Sequence, residues 1–404
     1  MVQDNHNYNQ IEKILEQVWK WSNSQDFKGY NKHDGLNSPI LRTLLGWGKW
    51  PRLVAIQAVM RFPINIRPLL LIPKSYNPKG LALFALGCLD RYRATGKQLH
   101  LDRAQRLLEL LLSLSSPGKW SGICWGYHYP WQDLGFFAPT NTPNAVVTSF
   151  VCEAFLDAYR LTKETGYLDV VESASDFFIN DLTVLLDKPQ KLCLGYMPMP
   201  MKMRVMDVSI LIGAVLAQLV SFGKRLDLED HARRLVAYVV GQQTDYGAWY
   251  YTDPPEDSPI RHDNYHTGFI LDALWRYMEA LQEWDYQDSY IKGLEFYSGK
   301  LFNNDGSPRW MSHKDFPHDI HGAAQGILTF SKAKGLGIYN GQLDYKIYCW
   351  AIEHMYNDQG RFYYQRSRYW TKRFTLLRWC NAWMFRALTQ FLYSNRGSPT
   401  NPHF

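Results

Sequence analysis

The chain has 404 residues, 46% of them hydrophobic and 15% aromatic, with 44 basic and 38 acidic side chains and a net charge of +6. The length allows a large core and about two or three domains, and the interleaved charges exclude the dense basic run of a nucleic-acid patch. An anionic substrate or an anionic membrane surface suits this modest positive balance, and an aromatic excess suits a carbohydrate or apolar-ligand cleft as well as a core.

In chain order, the polar start MVQDNHNYNQIEK has no signal-peptide core, and helical periodicity begins in IEKILEQVWKW. A segment at 25–76 breaks that pattern. Within it, GWGKWPRLVAIQAVMRFPINIRPLLLIPK (46–74) mixes Trp, aliphatic and basic residues with no acidic one. That composition suits either a membrane interface or an insert packed over the bottom of the fold.

From Asn77 a motif recurs. NPKGLALFALGCLDRYRAT and, from Asn144, NAVVTSFVCEAFLDAYRLT share LDxYRxT at the same offset. Weaker copies start at Asp207 (DVSILIGAVLAQL), His266 (HTGFILDALWRYM), His321 (HGAAQGILTFSKA) and Asn381 (NAWMFRALTQFLY). Second helical patterns such as LDRAQRLLELLLSL and EDHARRLVAYVVGQQ alternate with them. Glycine with nearby aromatics separates the two helices in WGYHYPW, LGYMPMP, GAWYY, GSPRW and GRFYY, as suits a short hairpin.

A unit repeated every ~60 residues predicts an all-α fold, an (α/α)6 barrel of six helical hairpins with short β-hairpins between helices. It is expected to form a single domain over 1–404 with an insert at about 25–76. An open solenoid is the alternative, but no polar terminal unit stands out as its cap.

In such a toroid the copy starts form one rim. Asn77, Asn144, Asp207 and Asn381 are residue types that cap helices. His266 and His321 are not favoured caps, and a helix N-terminus favours neutral imidazole, which can act as a base near pH 7. The residues ahead of each start converge on the same mouth: Trp131 and Asp133, Lys202 and Arg204, Asp263, Asn264 and Tyr265, His318 and Asp319, Arg378 and Trp379. The expected catalytic set is His266, Tyr265, His321, Asp319, Asp207 and Asp263. Arg204, Arg378, Trp379, Asn144, Asn381, Trp131, Asp133, Asn264 and His318 are expected to bind substrate. HDGLNSP (33–39) is expected to drape over the mouth, adding Asp34 and Asn37 as minor candidates.

No GxGxxG follows a strand and no P-loop occurs, so no cofactor is expected. MPMPMKM (197–203) reads as an adaptable apolar lip and not as a metal site. The six cysteines form no CxxC pair, which suits reduced thiols. The longest apolar runs are too short to span a bilayer. The expectation is a cytoplasmic protein, with peripheral membrane contact through 46–74 as an addition.

The alternation of helix pairs with glycine-aromatic hairpins resembles the six-hairpin glycosidase superfamily. DNYHTGFILDAL (263–274) and AAQGILTFSKA (323–333) resemble motifs of the helical domain of glucuronyl 5-epimerases. YHTG, DIHGAAQ and RWCNAWM are similar to blocks in uncharacterised proteins of bacterial polysaccharide and lipopolysaccharide gene clusters. The epimerase motif's second histidine falls at Phe269 or Ile270 here, and that family's extra β-rich domains have no room in the chain. HGAAQG and WCNA are faintly similar to lanthionine cyclases, but Ile320 stands where a zinc-binding cysteine belongs, leaving only Cys380 and His321. The acidic motif of terpene-cyclase toroids is absent.

These resemblances imply an enzyme of bacterial polysaccharide or glycolipid metabolism acting on a glycan or lipid-linked sugar. Epimerase or lyase chemistry would use Tyr265 and His266 for proton transfer, His321 or Asp319 opposite, and Arg204 or Arg378 on a uronate carboxylate. A hydrolase needs two carboxyl groups about 5 to 9 Å apart. The alternatives are a non-catalytic glycan-binding scaffold and a toroid that binds an apolar ligand.

Overall fold

The computed structural model describes residues 2–395, with side chains from Tyr8 onward. After α1 (Val2–Ser24), the insert carries α2 (Pro39–Leu45) and α3 (Lys49–Arg61). Then follow α4 (Pro78–Thr95), α5 (Gln98–Ser113), α6 (Ala145–Thr162), α7 (Thr165–Asn180), α8 (Met206–Ser221) and α9 (Glu229–Val240). The chain continues through α10 (Asn264–Leu281), α11 (Gln287–Lys300), α12 (Ile320–Gly335), α13 (Leu343–Met355) and α14 (Trp383–Asn395).

Two kinds of helix alternate, and composition separates them. In α8, every residue from Met206 to Val220 is buried, because apolar side chains cover its whole circumference. In α5, the buried Leu101, Ala104, Leu107, Leu108 and Leu111 recur at helical spacing and form one stripe. The even-numbered helices from α4 to α14 form an inner ring, which closes because α14 packs against α4 as well as α12. The outer helices surround it, and α1 packs against α14 as the outer partner of the last inner helix. This is the (α/α)6 toroid, and closure explains why no capping repeat is present.

The packing unit is offset by one helix from the sequence unit. Among the outer helices, each of α4, α8 and α12 packs most extensively on the one that follows it, across a short connection. Gly96 and Gln282, with φ of 66° and 55°, make such turns after α4 and α10. The hairpin glycines then bind the next outer helix: a Cβ on Gly306 would meet the Lys346 backbone at 2.5 Å, and one on Gly360 would meet Gln17 O at 2.3 Å. Gly360 therefore seats the last hairpin on α1, across the point of closure.

The predicted local hairpins pair partly across units. Arg204–Val205 pairs with Thr252–Asp253, and His318–Asp319 pairs with Gln365–Arg366. These short strands stitch neighbouring units together just ahead of the inner helices.

Two of the four expected caps cap. The side chain of Asn77 accepts from Gly80 N and that of Asn144 from Val147 N. Asp207 instead lies inside the first turn of α8, with Val205 at the cap. Asn381 lies in a π-helical turn, Arg378–Ala382, that runs into α14. His266 and His321 sit within first turns, behind Asp263 and Asp319 as cap residues. The insert lies at the rim end where the inner helices begin, not at the bottom: α3 packs on the turn Asp34–Asn37 and on the strand that starts at Trp131. All six cysteines are unpaired, with Cys349 exposed and the others buried.

Candidate active site

The N-terminal ends of α10 and α12 build a pit. His266 follows the cap Asp263 by three residues, so both side chains share one helix face. The Asp263 carboxylate lies 2.7 Å from His266 Nδ1, which sets the proton on Nδ1 and leaves Nε2 free. Nε2 faces Asp207 Oδ2 at 4.0 Å. Asp207 is buried and its Oδ1 has no hydrogen-bond partner. Burial raises the Asp207 pKa, against the pull of His266 and Lys79. A small recess adjoins the trio, lined also by Tyr250, Tyr251 and Arg261.

Aromatic rings form the wall. Tyr265 stacks on His321 at 4.5 Å and 10° and touches His266 at 4.3 Å. Trp379 meets His321 edge-on at 4.4 Å, and Trp383 lies 4.5 Å from it. Neither nitrogen of the buried His321 has a hydrogen-bond partner. Burial first, then Lys79, Arg378, Lys32 and His266, hold its pKa well below the usual range, so the ring is neutral. Asp319 accepts from Trp379 Nε1 (2.7 Å), Gln365 Nε2 (2.8 Å) and His321 N (2.9 Å). Its oxygens are engaged in positioning that wall.

Three buried cations ring the same space. Lys79, on the first turn of α4, lies 3.8 Å from the Phe150 ring and 4.4 Å from that of Phe269. Lys32, from the insert, lies 3.8 Å over Trp379 and 5.3 Å from Trp310. Arg378 lies 4.9 Å from Trp379, and its Nε has no partner. Among the described residues, none of the three has a carboxylate within ion-pair distance. Burial lowers the Lys32 pKa to about 8 although Asp319 pulls it up, and burial with Arg378 lowers that of Lys79 well below its ordinary value.

The rim brings together His266, Tyr265, His321, Asp207, Asp263, Asp319, Arg378 and Trp379. Trp131 lines the mouth beside Tyr127, Phe136 and Tyr196, with His33 at 5.6 Å. Asp133 is half-buried there, with Oδ1 accepting from Leu134 N. The other expected binding residues turn away or are used up. Arg204 pairs with Asp253, which also accepts from Tyr238 of the outer helix α9. His318 Nδ1 bonds Pro308 O, and its ring packs on Trp350 of α13. Asn264 donates to Leu301 O and accepts from Tyr297, on the α11 side. Asn381 holds the backbone of Gly360 and Phe362. Asn144 is occupied as a cap. Alternation at a rim explains these corrections: neighbouring positions point inward and outward in turn, so adjacency to a helix start does not set direction.

Of 33–39, His33 reaches the mouth, with Lys32 just before it. Asp34 is instead locked to Arg67 at 2.8 Å, both buried, and Arg67 also donates to Asn31 O, which fixes the loop. Lys79, Lys32 and His33 were absent from the expected set. Lys79 carries a legible signal, a cation two residues after the cap and ahead of the apolar run of α4. Lys32 carries none, since only the folded insert brings it to Trp379. Among the described residues no cluster of three His, Cys, Asp or Glu side chains can hold a metal ion.

No protein-family model and no curated protein matches the sequence. Solved structures do match in fold. A GH76 alpha-mannanase from Bacteroides thetaiotaomicron superposes with a TM-score of 0.62 at 12% identity, over 79% of this chain and 86% of that one. Cellobiose 2-epimerase from Bacillus thermoamylovorans gives 0.58 at 11% identity, over 80% and 89%. An unsaturated glucuronyl hydrolase specific for heparin gives 0.56 at 11% identity, over 79% and 87%. The chain thus has the six-hairpin (α/α)6 fold that these enzymes share.

Proposed function

We propose that this protein is an enzyme of polysaccharide or glycolipid metabolism that binds an anionic, uronate-containing glycan in the pit and moves the proton beside its carboxylate. The carrying observation is three buried cations without counter-ions next to a histidine oriented by a carboxylate. Burying an unpaired charge is costly, and a bound anion offsets that cost. The likeness to glycan-active enzymes of the same fold supports the substrate class.

In this reading, Lys79, Arg378 and Lys32 neutralise the substrate carboxylate and acidify the adjacent carbon. His266 Nε2 takes that proton, with Asp263 stabilising the imidazolium. The electron pair moves into the carboxylate as an enediolate. For epimerisation the intermediate takes a proton back on the other face; Tyr265, whose phenol burial keeps protonated, stands beside His266 as a neighbouring donor. Elimination instead expels the neighbouring substituent and leaves a ring-unsaturated product. Hydrolysis would have to pair Asp207 with Asp133, because Asp263 and Asp319 are engaged by His266, Trp379 and Gln365.

The test is incubation with uronate-containing oligosaccharides in heavy water. Deuterium at the carbon beside the carboxylate indicates epimerisation, and ultraviolet absorbance of an unsaturated product indicates elimination. His266→Ala is expected to cut either rate by about 10²–10⁴ while ligand affinity is retained. Affinity without deuterium exchange or bond cleavage identifies a glycan-binding protein instead.

A further inference from the structure

The insert presents an apolar face that nothing in the chain covers. No residue of α2 is buried, although Ile40 and Leu44 are among its seven. Only Ala55, Ile56 and Val59 of α3 are buried. Trp47 is 77% exposed, Trp50 67%, Leu69 78% and Leu71 63%. A second segment joins this face, because Lys372 Nζ donates to Met60 O at the end of α3. Next to it in the chain, Tyr369 and Trp370 are 80% and 53% exposed. A soluble surface rarely gathers so many large apolar side chains without a partner.

Charge identifies the occupant. Arg42, Lys49, Arg61, Arg368 and Arg373 are exposed among these residues, and no acidic residue lies between Asp34 and Asp90 or after Asp358. Exposed tryptophans with aliphatic neighbours and unpaired cations are the chemistry of an anionic lipid interface. A second copy fits poorly, since a twofold interface would set these cations against one another.

We infer that the α2–α3 insert, together with the Arg368–Arg373 tip, docks the protein peripherally on an anionic bilayer surface. The insert also supplies Lys32 and packs on the Trp131 strand, so docking brings the mouth of the pit next to the lipid. Among the described residues no helix is long and apolar enough to cross a membrane, so contact through these helices is interfacial. The inference does not depend on the chemistry proposed for the pit.

Flotation of the full chain with phosphatidylcholine vesicles, with and without phosphatidylglycerol, tests it. Binding is expected only with the anionic lipid. It should weaken at high salt, and fall more than tenfold in a Trp47→Ser, Trp50→Ser, Leu69→Ser triple variant whose thermal melt is unchanged. Absence of flotation with either vesicle overturns the inference. So does equal binding to neutral vesicles, or binding that the triple variant retains. A wild-type dimer in light scattering that the triple variant loses would show that a second copy covers the face, and would also overturn it.

Discussion

The two ends of the barrel treat buried charge in opposite ways. At the closed end, Arg276 meets Glu153 at 2.5 Å, Arg93 meets Asp157 at 2.8 Å, Arg386 pairs with Asp90, and Lys332 lies 3.5 Å from Asp272. Of these groups, Glu153, Asp272, Arg276 and Arg386 border a small interior recess. At the mouth, Lys79, Lys32 and Arg378 are buried with no such partner. Phe150, Phe269 and Trp383 divide the two, with Lys79 above them and the recess with Glu153 and Arg276 below. Pairing marks charges that hold the fold. Its absence marks charges kept for something that arrives from outside.

Substitutions should separate the two ends by sign. Arg276→Met leaves Glu153 buried and unpaired, and is expected to destabilise by about 3–5 kcal/mol; chemical denaturation measures this. Lys79→Met removes a buried amine with no carboxylate at ion-pair distance, so the melting temperature should hold or rise. The same variant should weaken binding of a uronate oligosaccharide by roughly tenfold or more, read by calorimetry. Equal destabilisation by both variants would erase the contrast between the ends.

Gly306→Ala acts at neither end. It forces a Cβ against the Lys346 backbone at a φ of 90°, and is expected to lower stability by about 1–3 kcal/mol without altering ligand affinity.

The smallest effect is a pH dependence. Burial lowers Lys32 to about 8, below its ordinary 10.5, so between these values the unfolded chain holds a proton that the folded chain has released. Stability should therefore rise with pH across that window, while anion affinity falls as pH passes about 8. Lys32→Met should reduce both slopes, with Lys79, also lowered by burial, keeping part of each. Lys372, also lowered to about 8 by burial, keeps part of the stability slope.

Much of the ring was legible because helix starts repeat and inner helices are apolar on every side. The rim histidines and their carboxylates were legible because a histidine behind an acidic cap breaks the usual composition of a first turn. Arg204, His318 and Asn264 turn away from the pit for one cause: a short strand or first turn puts neighbouring side chains on opposite faces, and register there is set by pairing with the next unit. The closed-end network passed unnoticed because its charges lie on five helices far apart in sequence.

Periodicity and local chemistry alone determined the twelve helices of the ring, their inner or outer character and the glycine turns, since each depends on residues a few positions apart; the two helices of the insert were not read from the sequence. Only tertiary structure decided which cations stay unpaired, that the last hairpin closes on α1, and that an insert at residue 32 reaches Trp379. Those outcomes depend on distances between segments that no local pattern encodes.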